Sequence, residues 1–341
     1  MTSWKPKWKS GGTGIVAGSY GEDVWESVVS ESQRPPNIDW VIHEATTGIQ
    51  MHLLIPSLFT VGASREDRQF RNLERLDSLA GLRAVSGAHR FTPTAHGKIS
   101  HERLITDVNP RGLFFVSQTV VTQYQWESVM GRTSRPGGEE GPAFPINTVP
   151  FDAAVEFCSR LGCRLPTELE WEYACRGLTK MPRYGELDSI AWWIGNSSEH
   201  LSGPRLRPVG EKDPNRFGLF DTLGNVWEWC SDEYQSHCCN VADSHLNDTL
   251  ARALVRSWGH SGRVRNPMSH LNDTRVRATG TGSLADQSIP RVVRGGAFDV
   301  DRPTCRAAFR GSLTAPIPSV GFRIVMDHAN WVAMNPNGGI G

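Results

Sequence analysis

Thiols, carboxylates and guanidinium groups are the side chains here that could do chemistry, and their spacing decides which kind. Seven cysteines are scattered through 341 residues, singly except for the adjacent pair Cys238-Cys239. An odd count, with Cys158 and Cys175 at helix-core spacing, points to reduced thiols in a cytoplasmic protein rather than a disulfide framework. Near the C-terminus Cys305 sits among Asp299, Asp301, Arg306 and Arg310. A catalytic reading takes these four as the polar groups of a pocket and Cys305 as its thiolate. A structural reading takes Cys305 as a small buried side chain beside Arg306-Ala307-Ala308. His43, His52, His89, His96 and His101 lack helical ligand spacing, so no three-histidine iron site is expected. There is no Gly-x-Ser-x-Gly elbow, no phosphate-binding Gly-Lys-Thr loop and no His-Glu-x-x-His zinc helix.

The guanidinium groups gather in one stretch. Residues 233–290 carry the hexapeptide Ser-His-Leu-Asn-Asp-Thr twice, at Ser244–Thr249 and Ser269–Thr274, with Arg252, Arg256, Arg263, Arg265, Arg275 and Arg277 between and after the copies. Two copies are too few for a solenoid. The stretch reads as an insertion, either a solvated basic loop or a contact for an anion or nucleic acid. The whole chain has no field of its own, since Lys plus Arg and Asp plus Glu are 36 each. Global attraction to nucleic acid or acidic membranes is therefore excluded. No run approaches the roughly 18 apolar residues of a membrane span, and the start, Met1 to Gly12, has no apolar signal core.

The elements that must position these groups come next. Residues 1–40 read as a leader ending in Gln33-Arg34-Pro35-Pro36. Strands are expected over Met51–Ile55, Leu58–Gly62 and Leu113–Val116. Thr122-Gln123-Tyr124-Gln125 is a capping-box pattern that opens a short helix ending at Gly131. In Phe151–Gly162, Val155, Cys158 and Leu161 fall at helical spacing and predict one buried stripe. A second capping box, Thr167 with Glu170, opens a helix that Gly177 stops. Arg291–Gly296 and Gly321–Val325 are β-like, and Met326–Gly341 reads as a peripheral tail. With 34 Gly, 21 Pro and 12 Trp, the chain should fold with turns carrying much of its length and indoles filling its core.

Five segments, in order, resemble the formylglycine-generating-enzyme (sulfatase-modifying-factor) family. They are Val120-Val121-Thr122 with Trp126–Gly131; Val149-Pro150-Phe151-Asp152-Ala153-Ala154 to Cys158; Arg164-Leu165-Pro166-Thr167-Glu168 through Trp171-Glu172-Tyr173-Ala174-Cys175-Arg176; Gly218-Leu219-Phe220-Asp221 to Gly224-Asn225-Val226-Trp227-Glu228-Trp229; and Arg294-Gly295-Gly296 with Gly321-Phe322-Arg323. The resemblance covers about residues 41–326 and implies a single α+β, C-type-lectin-like domain with short twisted strands, two main helices and long loops. It also implies a calcium site, carried by the side chains of Asp221 and Glu228 and the carbonyls of Gly224 and Val226. Hard oxygen ligands suit that ion. The bland alternative is that Glu228 satisfies backbone donors in a buried turn.

The resemblance further implies what this chain lacks. The family's oxidase binds copper(I) through two cysteines five residues apart. Here Val300 falls where the first would be and Cys305 aligns with the second, so copper is not expected and formylglycine generation is improbable. The related ergothioneine-type sulfoxide synthases add a helical iron domain for which residues 1–40 are too short. Three functional readings stand. The first is a binding scaffold like the variable proteins of diversity-generating retroelements, with Phe298, Asp299, Val300, Asp301, Thr304, Arg306, Phe309, Arg310, Gly311, Ser312, Leu313 and Thr314 facing a protein or small ligand. Its window, Ala297–Val320, holds no Lys, Gln, Glu, Met or Trp, residue types that adenine-directed mutation of an Asn codon cannot reach. The second is a non-oxidase enzyme of the family. The third is an accessory domain docked through the basic insertion.

Overall fold

The computed structural model describes residues 4–6, 41–56, 59–63, 105–108, 110, 112–131, 141–198, 203–234 and 289–335. The arginines at 252–277 and the pair Cys238-Cys239 lie outside these residues, as do His89, His96 and His101. Strands β1 (Trp4–Pro6), β2 (Val41–Glu44), β3 (Gln50–Leu54), β6 (Phe114–Ser117) and β11 (Val325–Asp327) form a five-stranded antiparallel sheet in the order β1-β2-β3-β6-β11. A second sheet has the order β10-β7-β8-β9, from β7 (Trp227–Glu233), β8 (Arg291–Arg294), β9 (Gly311–Leu313) and β10 (Val320–Gly321), the β10–β7 pair being parallel. A small pair joins β4 (Phe59–Val61) to β5 (Ile105–Val108).

The β-like run expected at Gly321–Val325 splits between both sheets. Phe322, Arg323 and Ile324 cross between β10 and β11 and are wholly buried. This crossing ties the sheets together, because Val121 N–H donates to the Phe322 carbonyl and Ser117 N–H to that of Ile324, both at 2.9 Å.

The helices begin where their caps predict. In α1 (Gln123–Met130) Thr122 accepts from Gln125 N–H while the Gln125 side chain returns to Thr122 N–H, and in α3 (Glu168–Arg176) Thr167 and Glu170 do the same. Helix α2 (Phe151–Arg160) buries Ala154, Phe157 and Cys158, with Leu161 just beyond. Val155 is 40% exposed, which corrects the expected stripe. Phe157 is the reason: it stacks on Trp126 at 5.5 Å and meets Phe322 edge-on at 5.4 Å, rotating the buried face one residue away from Val155. A short α4 (Leu187–Ile190) and a C-terminal α5 (His328–Met334) complete the described α-helices, and a 3-10 turn covers Arg302–Thr304.

Both ends reach further into the fold than the 41–326 span suggests. Trp4, within the expected leader, is 1% exposed and its indole donates to the Leu161 carbonyl at 3.0 Å. Trp331, within the expected tail, is buried against Phe115.

Candidate functional site

The C-terminal segment leaves β8 through Gly295 and Gly296, and the second of these is sterically obligatory. Gly296 has φ +79°, and a Cβ there would stand 2.8 Å from the Cys305 sulfur. That close approach seats Cys305 in the core at 0% exposure, with Ala297 and Val300 also buried. The expected small buried thiol is therefore what the fold contains at this position.

Beneath the segment lies a buried ionic network. Glu168 accepts from Arg310 at 2.7 Å and pairs with Arg294 at 3.3 Å, while Glu172 pairs with both Arg294 and Arg176. Burial alone would raise the Glu168 carboxyl, but Arg310 and Arg294 beside it hold it below the ordinary range. Arg183 adds a clamp from outside the network, its Nε donating to the Cys305 carbonyl at 2.7 Å. Breaking one such buried pair, leaving a bare charge, typically costs about 3–5 kcal/mol.

This network divides the residues expected to face a ligand. Val300, Cys305, Arg306, Phe309, Arg310, Gly311, Ser312 and Leu313 are buried and form the footing. Phe298, Asp299, Asp301 and Thr304 are half-buried, and Thr314 is exposed. The rim is steadied from a neighbouring loop that sequence patterns did not single out. Ser197 donates its hydroxyl to the Phe298 carbonyl at 2.7 Å, and Ile194 N–H donates to the Val300 carbonyl at 3.2 Å. Arg302 lies over the Trp193 ring, 5.2 Å from its centroid. The only advance signal for this loop is its pair of adjacent indoles, Trp192 and Trp193.

The groups expected to hold calcium lie in the loop before β7 and at its start, and they do not suit the ion. Both oxygens of Glu228 face the Arg323 guanidinium, Oε2 to Nε at 2.6 Å and Oε1 to Nη2 at 2.8 Å, and Oε2 also accepts from the Trp171 indole at 2.7 Å. With Glu228 and Arg323 at 0% exposure, a divalent cation would have to displace a buried arginine. Asp221 instead accepts from Gly210 N–H at 2.7 Å through Oδ2. Burial pushes its carboxyl up to about 6, with Gly210 and Arg323 opposing. Gly224 is there for room: its Cβ would lie 2.3 Å from the Trp192 carbonyl oxygen. Among the described residues, no group of three or more His, Cys, Asp or Glu side chains could hold a metal.

A family model described as "Sulfatase-modifying factor enzyme 1-like domain" matches residues 99–328. The formylglycine-generating enzyme of Mycobacterium tuberculosis is 34% identical over 192 residues, covering 47% of this chain and 63% of that protein. The enzyme of the same name from Streptomyces coelicolor is 39% identical over 160 residues, covering 40% and 50%. "Inactive C-alpha-formylglycine-generating enzyme 2" of Bos taurus is 34% identical over 165 residues, covering 44% and 52%. The chain thus spans between half and just under two thirds of the length of these relatives. Among solved structures, Treponema denticola variable protein 1 aligns with TM-score 0.51 at 20% identity, over 82% of this chain and 95% of that one. PvdO from Pseudomonas aeruginosa aligns with TM-score 0.53 at 18% identity, over 84% and 97%. Both likenesses concern the fold, which is α+β and C-type-lectin-like.

Proposed function

This chain belongs to the sulfatase-modifying factor enzyme 1-like domain family, and from that premise we propose that it acts as a ligand-binding scaffold rather than a formylglycine-generating oxidase. The observation that carries this reading is the division of the C-terminal segment into an ion-paired, buried footing and a half-exposed rim of Phe298, Asp299, Asp301 and Thr304, with Thr314 fully exposed. A rigid base under a mixed aromatic and polar edge lowers the ordering cost of binding. Position 300 holds a buried valine, so Cys305 has no second thiolate five residues before it, and copper(I) has no two-sulfur cradle there. One relative of the family is itself named inactive. The same fold is that of Treponema denticola variable protein 1, which supports a scaffold reading.

We propose a cytoplasmic location from the odd and scattered set of seven cysteines. Among the described residues no helix is long and apolar enough to cross a membrane.

The test is tolerance combined with chemistry. Replacing Phe298, Asp301, Thr304 and Thr314 together by alanine should leave the melting temperature within a few degrees, since half-exposed changes cost little. Arg310→Ala alone should lower it far more, by leaving buried Glu168 with the longer Arg294 pair alone. Loaded with copper(I) in air, the protein should leave a cysteine-containing peptide unchanged. Conversion of that thiol to an aldehyde would overturn the reading, as would a rim whose replacement unfolds the domain.

A further inference from the structure

A cleft of about 160 Å³ opens between β4 and the C-terminal end of α3, and none of its lining residues belongs to the rim. Its two sides are pinned together before any ligand arrives. Tyr173 donates its hydroxyl to the Ile55 carbonyl at 2.9 Å, Arg176 Nη2 donates to the Gly62 carbonyl at 2.8 Å, and Gly62 N–H donates to Glu172 at 2.7 Å. One wall is aromatic. Phe59 meets Tyr173 edge-on at 5.0 Å, and Tyr173 in turn packs on Phe217 at 5.4 Å. Leu178 packs against the same cluster from a left-handed backbone, φ +70°, which a bulky residue rarely adopts. Gly177 before it is left-handed too, and a Cβ there would stand 3.0 Å from the Arg216 backbone nitrogen. Backbone strain of this kind persists where the surroundings fix it, and it gathers at ligand clamps.

Charge and size name the ligand. Arg176 and Lys180 line the cleft together with Thr60 and Thr179, and no carboxylate lines it. Arg176 is spent on Glu172, which it meets through Nε at 2.9 Å and Nη2 at 2.7 Å. Lys180 is exposed and pairs with no described carboxylate, so among the described lining residues its ammonium is the charge left for an anion. An apolar cavity of about 150 Å³ is enough to hold benzene, so the space here suits one ring. We propose that the cleft binds a small single-ring aromatic carboxylate, its ring against Phe59, Tyr173 and Leu178 and its carboxylate on Lys180. Aromatic walls favour a ring over a bare anion, and a cationic ligand would find two positive groups and no acid. This site goes beyond the scaffold reading and does not depend on it.

The experiment is a ligand-observed nuclear magnetic resonance titration of the full chain with benzoate, benzamide, acetate and N-acetylphenylalanine. Benzoate should bind saturably. Benzamide has the same ring without the charge and should bind about tenfold more weakly, the effect of one charge-assisted hydrogen bond. Acetate, with no ring, should not compete with benzoate. N-acetylphenylalanine stands in for the end of a peptide and should bind more weakly than benzoate, because its bulk exceeds the cleft. Lys180→Ala alters an exposed side chain and should leave the melting temperature unchanged. It should bring benzoate down to the affinity of benzamide and leave benzamide where it was. Leu178→Gly accepts the backbone angle and should weaken both ring compounds alike. The joint alanine variant of the rim should bind benzoate as the wild type does, so this site and the scaffold reading fail separately. Absent benzoate binding, equal binding of acetate, tighter N-acetylphenylalanine, or undiminished benzoate affinity in Lys180→Ala overturns the proposal.

Discussion

Asp221, in the loop before β7, and Glu228, at the start of β7, are both buried carboxylates, yet their surroundings set them on opposite courses. Glu228 is matched atom for atom by Arg323 and the Trp171 indole. Asp221 has one oxygen bonded to Gly210 and the other unpaired, so burial dominates and its carboxyl rises from 3.8 to about 6. A carboxyl raised on folding favours the native state most when protonated. Its contribution is full below about pH 4 and is lost as pH climbs to about 6. Asp221→Asn keeps the shape and tolerates the positive φ of 52° at this position. Chemical unfolding of both proteins across pH 4 to 7 should therefore show the variant gaining on the wild type as pH rises, by roughly 2–3 kcal/mol in total. A difference that stays flat with pH would mean that Asp221 is not buried as described.

Among the elements, α3 carries most of what holds the rim in place. Its residues Glu168, Glu172 and Arg176 supply the ion pairs beneath the segment, and its start is set by the Thr167–Glu170 box. Glu170 also pairs with Arg164 at 2.7 Å, so the cap is joined to the preceding turn. Thr167→Ala should cost about 1 kcal/mol of stability, measured by urea unfolding. The alanine substitution leaves the acid–base pairs of the helix in place, so copper(I) inertness and rim tolerance should not change. Helix α2 teaches a different lesson. Its period was legible, but Val155, Cys158 and Leu161 satisfy the same spacing as Ala154, Phe157 and Cys158 to within one residue. The partner rings Trp126 and Phe322 selected between them.

At the scale of the molecule, chain ends close the core. Strand β1 lies at the edge of the five-stranded sheet, and Trp4 fills the space beside Leu161. Trp4→Ala should therefore destabilise the whole domain by about 3–5 kcal/mol, the usual cost of removing a buried large aromatic. Guanidinium unfolding would measure it. An effect below about 1 kcal/mol would place the first strand outside the cooperative unit. The same closure explains the split of Gly321–Val325: one extended run serves two sheets because Arg323, at the crossing, is anchored from Ser117, Phe220 and Glu228 at once.

The sequence by itself determined the family, the α+β lectin-like class, the helix starts and the missing thiol at position 300. Each of these is local: capping boxes act over three residues, and an aliphatic group cannot ligate copper wherever it sits. Only the tertiary structure decided which polar groups are consumed and which are left over. Glu228 looks like an ion ligand until Arg323, 95 residues away, takes both its oxygens. Trp227 reads as core, and its indole Nε1 ends up buried without a hydrogen-bond partner beside the parallel pair of β10 on β7. Whether a polar atom is satisfied depends on what the chain brings to it from far away, and spacing along the sequence carries no record of that.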